Sequence, residues 1–259
     1  VQSITTSQGT VTTMAATEAT SSALAADKMA RTVKSGWGSA TTGGAYTAYP
    51  ATAGAVANGV ASLVSPGPGA SSTMTLGAVK ASDVESSIDV ALPSLPTSGS
   101  KVYISHFVRG QANSSYVVML IVGADGKSEL VLERKKGSVE TKFKTVTGPQ
   151  VKAGQAVTLK ISAVGTSSVQ LGAKAWTAST TEPTKWMAQA TDSASARIST
   201  AGPVGVALYA SASGKVTPAN FDNLSAAAAQ STTVVSTTPT PTPTATAPTS
   251  STISTPNYA

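Results

Sequence analysis

Three carboxylates lie close together in the segment DVESSID, at Asp83, Glu85 and Asp89. On an extended strand alternate residues share a face and lie roughly 7 Å apart, so the three side chains would point the same way. Glycoside hydrolases use two carboxyls about 5–5.5 Å apart when they retain and about 6.5–9.5 Å apart when they invert the anomeric configuration. However, no aromatic residue follows to line a sugar subsite, and the spacing differs from the Glu-x-Asp-x-x-Glu pattern of glucanases. We therefore interpret these residues as the polar face of a half-buried strand and predict no catalytic residue.

Other catalytic chemistry lacks the residues it needs. The chain contains no cysteine, which excludes disulfides and thiolate sites. His106 is the single histidine, and it lies inside an apolar segment with no neighbouring motif that would orient it as a base. A zinc site would require several His, Cys or carboxylate ligands at suitable spacing, which the sequence does not offer. His106 is therefore predicted to be structural.

The three tryptophans raise the question of a sugar-binding surface. Trp176 and Trp186 stand on either side of Glu182-Pro183. Trp176 ends an apolar segment and Trp37 lies between two glycines, and both patterns predict rings that face inward. Trp186 lies in the loop that follows the Glu-Pro pair. A scaffold role is preferred for all three tryptophans, while Trp186 and Tyr46 are the candidates for ligand contact.

The composition is typical of a β-rich protein. The chain is 41% hydrophobic but only 12% charged, against about 25% in an ordinary globular domain. Thr, Ser, Ala and Gly make up the difference, and they favour strands and turns over helices. The net charge of +6 is scattered, without the clustered basic and aromatic residues of nucleic-acid binders. No apolar run approaches the ~20 residues of a membrane helix. Neither a nucleic-acid partner nor membrane insertion of this segment is predicted.

Short apolar or alternating segments separated by turn residues fill the middle of the chain. They are predicted as strands at 79–92, 101–109, 115–122, 128–135, 138–146, 156–165, 168–176, 204–210 and 216–225. Gly137 marks a hairpin between two of them. Consecutive short strands with tight turns predict an all-β, antiparallel two-sheet sandwich of jelly-roll size.

Both ends of the chain differ in composition from this middle region. From about residue 226 onward the sequence is dominated by Thr, Ser and Pro, including a Thr-Pro repeat that has little to bury. Such stretches are extended spacers in exported proteins. We therefore predict a Ser/Thr-rich segment or edge strand at 1–23, a domain at 24–226 and a linker at 227–259. The linker indicates further domains or an anchor in the same protein.

Three blocks of residues resemble one protein family in order and spacing. They are Asp27, Arg31-Thr32, Gly36-Trp37-Gly38 and Gly43-Gly44-Ala45-Tyr46-Thr47; then Ala173-Lys174-Ala175-Trp176, Glu182-Pro183, Trp186 and Asp192; and finally Gly202, Val204-Gly205, Tyr209 and Phe221-Asp222-Asn223-Leu224. The family is the concanavalin A-like (laminin G-like) jelly-roll module of large exported actinobacterial surface proteins and phage tail proteins. Met29 stands where the family often has Phe, and Asn223 where a second Asp is common.

The resemblance implies a concanavalin A-like sandwich in which the first and last strands lie together. Asp27 would then lie near Asp222 and Asn223, where related jelly rolls often bind calcium. Calcium needs six to eight oxygen ligands, several of them carboxylates and backbone carbonyls. The alternative is that Arg31 pairs with the acid and Asp222 caps a turn, with no metal.

The function expected from these observations is non-catalytic binding or display. The chain would hold a carbohydrate or another cell-surface ligand, or space other domains of a larger exported protein, outside the cell or on its surface. One alternative is a phage tail or other virion protein that binds a receptor. A second alternative is a glycan-active enzyme of the glucanase-like class.

Overall fold

The computed structural model describes residues 22–212 and 214–229, and it contains fifteen strands. In chain order they are β1 (Ala23–Asp27), β2 (Tyr46–Tyr49), β3 (Gly54–Ala57), β4 (Val60–Leu63), β5 (Ser71–Ala81), β6 (Val84–Ala91), β7 (Lys101–Gln111), β8 (Ser114–Gly123), β9 (Ser128–Lys136), β10 (Val139–Thr147), β11 (Ala156–Val164), β12 (Val169–Thr177), β13 (Ala188–Asp192), β14 (Gly202–Ala210) and β15 (Ala219–Ala228). Those two ranges contain no helix, and hence none that is long and apolar enough to cross a membrane.

The strands form two sheets in which every paired neighbour is antiparallel. An eight-stranded sheet has the order β13-β12-β11-β6-β15-β4-β3, and β1 adds to it by pairing with β15. A seven-stranded sheet has the order β10-β9-β8-β7-β14-β5-β2. Their inner faces enclose one continuous hydrophobic core. The predicted all-β, antiparallel two-sheet sandwich is confirmed.

Alternation along the strands decides which side chains enter the core. In β6 the residues Val84, Ser86, Ile88 and Val90 are buried, while the residues between them are half-exposed. The same alternation occurs in β11 and β12, where the odd-numbered residues face inward. The alternate residues, which face outward, are therefore the ones that can form a solvent-exposed site on this sheet.

Several strand predictions need correction. The segment predicted as one strand at 79–92 is divided by a turn at Ser82-Asp83 into the end of β5, in the seven-stranded sheet, and β6, in the eight-stranded sheet. That turn contains neither Gly nor Pro, so the sequence gives no break signal there. The hairpin of β9 and β10 is as predicted, with Gly137 at a positive φ of 62°. The strands β2, β3, β4 and β13 were not predicted, since four or five residues carry too little pattern, and β5 was predicted only from residue 79 onward.

The predicted domain limits lie close to the ends of the sandwich. The first strand begins at Ala23 and pairs with Ala227 near the end of β15. The described residues thus extend two residues before and three residues after the predicted range 24–226. The segments 1–21 and 230–259 lie outside the described residues. The division into three parts therefore stays a prediction.

Buried charged groups connect the loops at one end of the sandwich. The Arg109 side chain is fully buried and donates hydrogen bonds to the carbonyls of Ser82, Ile198 and Gly165. Nearby, Asp192 accepts hydrogen bonds from the Tyr116 hydroxyl at 2.8 Å and from Arg134 at 2.6 Å. Three loops are thus tied to β7 by one guanidinium group.

The single histidine connects the two sheets through the core. His106 on β7 is fully buried, and its Nδ1 lies 3.0 Å from the Gly205 carbonyl oxygen. Since a carbonyl only accepts, Nδ1 carries the proton, and Nε2 faces the Ser86 hydroxyl on the other sheet at 2.9 Å. Burial disfavours the charged form and lowers the pKa of His106 to about 4, although its hydrogen bonds oppose this. The structural role predicted for His106 fits this position.

The His106 environment predicts a pH-dependent stability. The unfolded chain, with a pKa near 6.5, binds the extra proton before the folded chain does, so stability falls as pH decreases from about 6.5 to about 4. The loss amounts to about 3 kcal/mol in total. Urea unfolding at several pH values should find this step in the wild type and not in His106→Gln. If the two proteins lose stability in parallel, the imidazole does not stay neutral in the fold.

Candidate functional site

The predicted calcium ligand Asp27 lies inside the sandwich and is engaged by arginine. Its side chain is fully buried, and both carboxylate oxygens accept hydrogen bonds from Arg31 at 2.8 Å. Burial alone would raise the pKa of Asp27, but the hydrogen bonds and charge of Arg31 outweigh burial and lower it. The Met29 amide adds a third hydrogen bond at 3.1 Å. Little of the carboxylate is left for a metal ion.

The other two calcium candidates lie on the outer side of the sheet. Asp222 is paired across the strands with Asp89, and it accepts a hydrogen bond from the Asn223 amide at 2.7 Å. Burial and the charges of Asp89 and Asp27 raise the pKa of Asp222. The Asn223 side-chain amide donates to Asp89 at 2.9 Å. No group of three or more His, Cys, Asp or Glu that could hold a metal occurs in the part of the chain that the structure describes.

This geometry favours the arginine pair over calcium, and a thermal scan tests it. EDTA should leave the melting temperature of the wild type unchanged. Asp27→Asn should lower the free energy of unfolding by roughly 3 kcal/mol, because it leaves a largely buried guanidinium without its anion. The control Asp222→Asn should change little. If calcium were bound, chelation would remove about 2.7 kcal/mol at a hundredfold excess over Kd and lower the melting temperature by several degrees.

Residues of the first and last of the three resembling blocks pack together around Trp37. Trp37 is buried, and its indole N–H donates to the Ser62 carbonyl at 2.8 Å, which agrees with the predicted inward ring. Its ring contacts those of Tyr46 and Phe221 at centroid distances of 5.3 and 5.4 Å. Arg31 lies over Tyr46 at 5.9 Å and donates to the Trp37 carbonyl. Tyr46 therefore belongs to this cluster rather than to an open surface.

The three clustered carboxylates of Asp83, Glu85 and Asp89 each have separate partners. Asp83 lies in the β5–β6 turn, where it accepts a hydrogen bond from the Gly165 amide. Glu85 forms an ion pair with Lys160 at 2.6 Å. Asp89 accepts hydrogen bonds from Thr158 and Asn223 on the two neighbouring strands. Each carboxylate is held by a different partner, and the expectation that all three share one strand face is wrong for Asp83, which precedes β6.

An open groove of about 770 Å³ lies on the outer face of the eight-stranded sheet. It runs over β6, β11, β12 and β13, and its polar lining consists of Glu85, Ser162, Ser168, Gln170, Gln189 and Thr191. Trp186 also lines the groove. Its ring lies directly on Gly172, where an added Cβ would come within 2.6 Å of the ring atoms. Only glycine at this position lets the indole lie against the sheet.

Lys174 holds the loop that carries Trp186. This lysine is almost completely buried, and its ammonium group lies 4.6 Å from the centroid of the Trp186 ring. It also donates to the Glu182 carboxylate at 2.8 Å and to the Pro183 carbonyl at 2.6 Å. Glu182 in turn pairs with Lys160 at 2.9 Å. Lys174 thus fixes this loop against β12, a role that was not predicted from the sequence.

Trp176 differs from its predicted orientation. It pairs with Thr158 and follows Lys174 by two residues, so it faces outward on the same side of the sheet as the groove. Its side chain is half-buried. The inward prediction was wrong because it relied on the apolar character of the whole segment, whereas Trp176 continues the outer positions of β12, which Gln170, Gly172 and Lys174 occupy.

Comparisons with known proteins leave this site without an assigned role. No family model and no curated protein matches the chain. The CBM2 module of the evolved Dit of Lactobacillus casei BL23 phage J-1 is 11% identical, with 67% of this chain and 77% of that chain covered and a TM-score of 0.46. The exoplasmic/lumenal domain of VIP36, in its Ca²⁺/Man₃GlcNAc-bound form, is 8% identical with 72% and 84% covered and a TM-score of 0.47. The Bacillus licheniformis β-glucanase is 10% identical with 68% and 83% covered and a TM-score of 0.46. Because the identities and TM-scores are this low, the role of the groove is argued from its own geometry.

The role of Lys174 can be measured directly. Lys174→Met keeps the length of the side chain but removes three contacts of the ammonium group, so the Trp186 loop should loosen. We expect a loss of roughly 1–3 kcal/mol in the free energy of unfolding and stronger quenching of tryptophan fluorescence by acrylamide. The matched control is Lys127→Met, since Lys127 pairs with Asp125 on the exposed surface and such pairs contribute about 0–1 kcal/mol. Equal quenching in both variants would contradict the role given to Lys174.

Proposed function

We propose that this sandwich is a non-catalytic module that binds carbohydrate in the groove beside Trp186. The observation that carries the proposal is the indole ring held flat on Gly172 in an open, polar groove. A large, rigid ring with one apolar surface suits the C–H face of a sugar. Ligand sites are concave and combine such surfaces with a few polar groups that fix orientation. Here the Gln189 amide and the Ser162 hydroxyl make no side-chain hydrogen bond within the described residues.

The charges around the groove favour a neutral glycan. The two acids, Glu85 and Glu182, are paired with the two lysines, Lys160 and Lys174. Because these charges compensate one another locally, neither a strongly acidic nor a strongly basic ligand gains a free partner.

The same pairing supports a binding role rather than hydrolysis. A glycosidase needs one carboxylic acid that delivers a proton to the leaving oxygen. Glu85 is engaged by an ammonium group, and Asp89 accepts two hydrogen bonds from neighbouring strands. The setting outside the cell, on its surface or in a virion, is proposed from the Pro/Thr-rich sequence alone. Further domains of the same protein are proposed on the same ground.

Affinity electrophoresis of the full chain tests the proposal. The gels contain yeast mannan, laminarin, xylan or hydroxyethyl cellulose, with heparin and alginate as charged comparisons. At least one neutral polymer should retard the wild type. Trp186→Ala should weaken that retardation at least tenfold, which corresponds to about 1.4 kcal/mol. Gly172→Ala keeps the indole but displaces it, and should weaken retardation as well.

Two control measurements separate carbohydrate binding in this groove from non-specific binding and from hydrolysis. Tyr49→Ala is the matched control, because Tyr49 is a strongly exposed aromatic residue on the seven-stranded sheet, and it should bind the retarding polymer like the wild type. No reducing sugar should appear when the chain is incubated with any of the six polymers. Hydrolysis that is lost in Glu85→Gln would replace the proposal by the enzyme alternative, and equal binding by Trp186→Ala would remove the groove from it.

A further inference from the structure

A second groove lies on the outer face of the seven-stranded sheet. It has a volume of about 340 Å³ and runs over β5, β14, β7 and β8. The outer faces of the two sheets point in opposite directions, so this groove is separate from the one beside Trp186. Phe107 forms its aromatic surface, next to Val117 and Pro203.

Phe107 is held against the sheet as Trp186 is on the other face. The ring lies over Gly205 on the neighbouring strand, where an added Cβ would come within 2.5 Å of the ring. A Cβ on Gly110 would also lie close to it, at 3.1 Å. On each outer face, therefore, an aromatic ring lies against a glycine of a strand: Trp186 against Gly172, and Phe107 against Gly205. The ring of Phe107 is fixed before any ligand arrives, which lowers the cost of ordering it on binding.

Hydroxyl groups without internal partners surround this ring. Those that line the groove are Ser71, Thr73, Thr75, Ser105, Ser114 and Ser115. None of these six side chains makes a hydrogen bond within residues 22–212 and 214–229. Other hydroxyls of the sandwich are satisfied internally: Ser65 donates to Gly67 and Ser128 to Pro149. Six hydroxyls beside one fixed ring are a matching surface for the hydroxyl groups of a sugar.

The single charged group at the groove is compensated. Lys135 lines the groove and pairs with Glu140 at 2.9 Å and with Glu133 at 3.7 Å. Glu133 is completely buried, its carboxylate oxygens have no hydrogen-bond partner, and burial raises its pKa. With acids on both sides, the ammonium of Lys135 is not free to select an anion. The groove therefore suits a neutral ligand.

We infer that the Phe107 groove is a second binding site for neutral sugars. It goes beyond the proposed function because it does not involve Trp186 or the eight-stranded sheet. With one site on each outer face, a single domain would hold two glycan chains at once and link them. Occupation of two weak sites on one polymer network also raises the overall strength of attachment.

Site-resolved NMR on the full ¹⁵N-labelled chain tests the inference. The probes are mannotetraose, cellotetraose, laminaritetraose and xylotetraose. With at least one of them, the backbone amide signals of Thr73, Phe107 and Ser115 should shift with increasing sugar. The shift should persist in Trp186→Ala and weaken at least tenfold in Phe107→Ala and in the double variant Thr73→Val/Thr75→Val. The double variant preserves β-branching and shape, so it reports on the hydroxyls even if Phe107→Ala disturbs the fold.

Thr145→Val is the matched control, since Thr145 lies on the same face, opposite Val131 on β9, outside the groove. It should bind like the wild type. If no tetraose moves the signals of Thr73, Phe107 and Ser115, or if the double variant binds as tightly as the wild type, the second site is refuted. The signals of Gln170 and Gln189 report the Trp186 groove in the same spectra. The two sites can therefore fail or succeed independently.

Discussion

A buried charge must find all its partners inside the protein, and this constraint shapes the ends of the sandwich. Arg109 is fully buried, and its guanidinium donates to carbonyls from the β5–β6 turn, the β11–β12 turn and the segment before β14. Removing any of these acceptors would leave a buried donor unsatisfied, which costs more than the bond contributes. In the same way, the buried carboxylate of Asp27 finds its partner in Arg31, close to where β1 pairs with β15. The loops are therefore fixed by charge, while the strands are fixed by the core.

Because the inner faces are fully used by the core, contact with other molecules is left to the outer faces. Both outer faces use the same arrangement, in which glycine on a strand leaves room for an aromatic ring to lie flat. Gly172 seats Trp186 and Gly205 seats Phe107. The arrangement differs in how the ring is held: Trp186 comes from a loop that Lys174 pins, whereas Phe107 belongs to a strand of the sheet. A strand-borne ring needs no ion pair to position it.

The sequence predicted more of the strands than of the site. Long strands such as β7, β8, β11 and β12 have strong apolar or alternating patterns, and they were located within one to two residues. Trp37 was correctly predicted to face inward, although the glycine that leaves room for its ring is Gly54 rather than the flanking Gly36 and Gly38. Trp176 was wrongly predicted to face inward, because the apolar character of its segment was given more weight than the alternation marked by Gln170 and Lys174. Lys174 and Phe107 were missed: one resembled any surface lysine, and the other an ordinary strand residue.

The all-β class and the absence of thiol chemistry were determined by composition and local pattern alone. Those properties depend on neighbours in the chain and on a period of two, which a sequence displays directly. Tertiary structure decided which partner each charge has and which rings reach an outer face. Arg31 meets Asp27 because a turn at Met29 brings the chain back toward it. Gly172 meets Trp186 because β13 pairs with β12 and carries the preceding loop across it. Such contacts join residues by register and loop path, so they exist only once the sheets have formed.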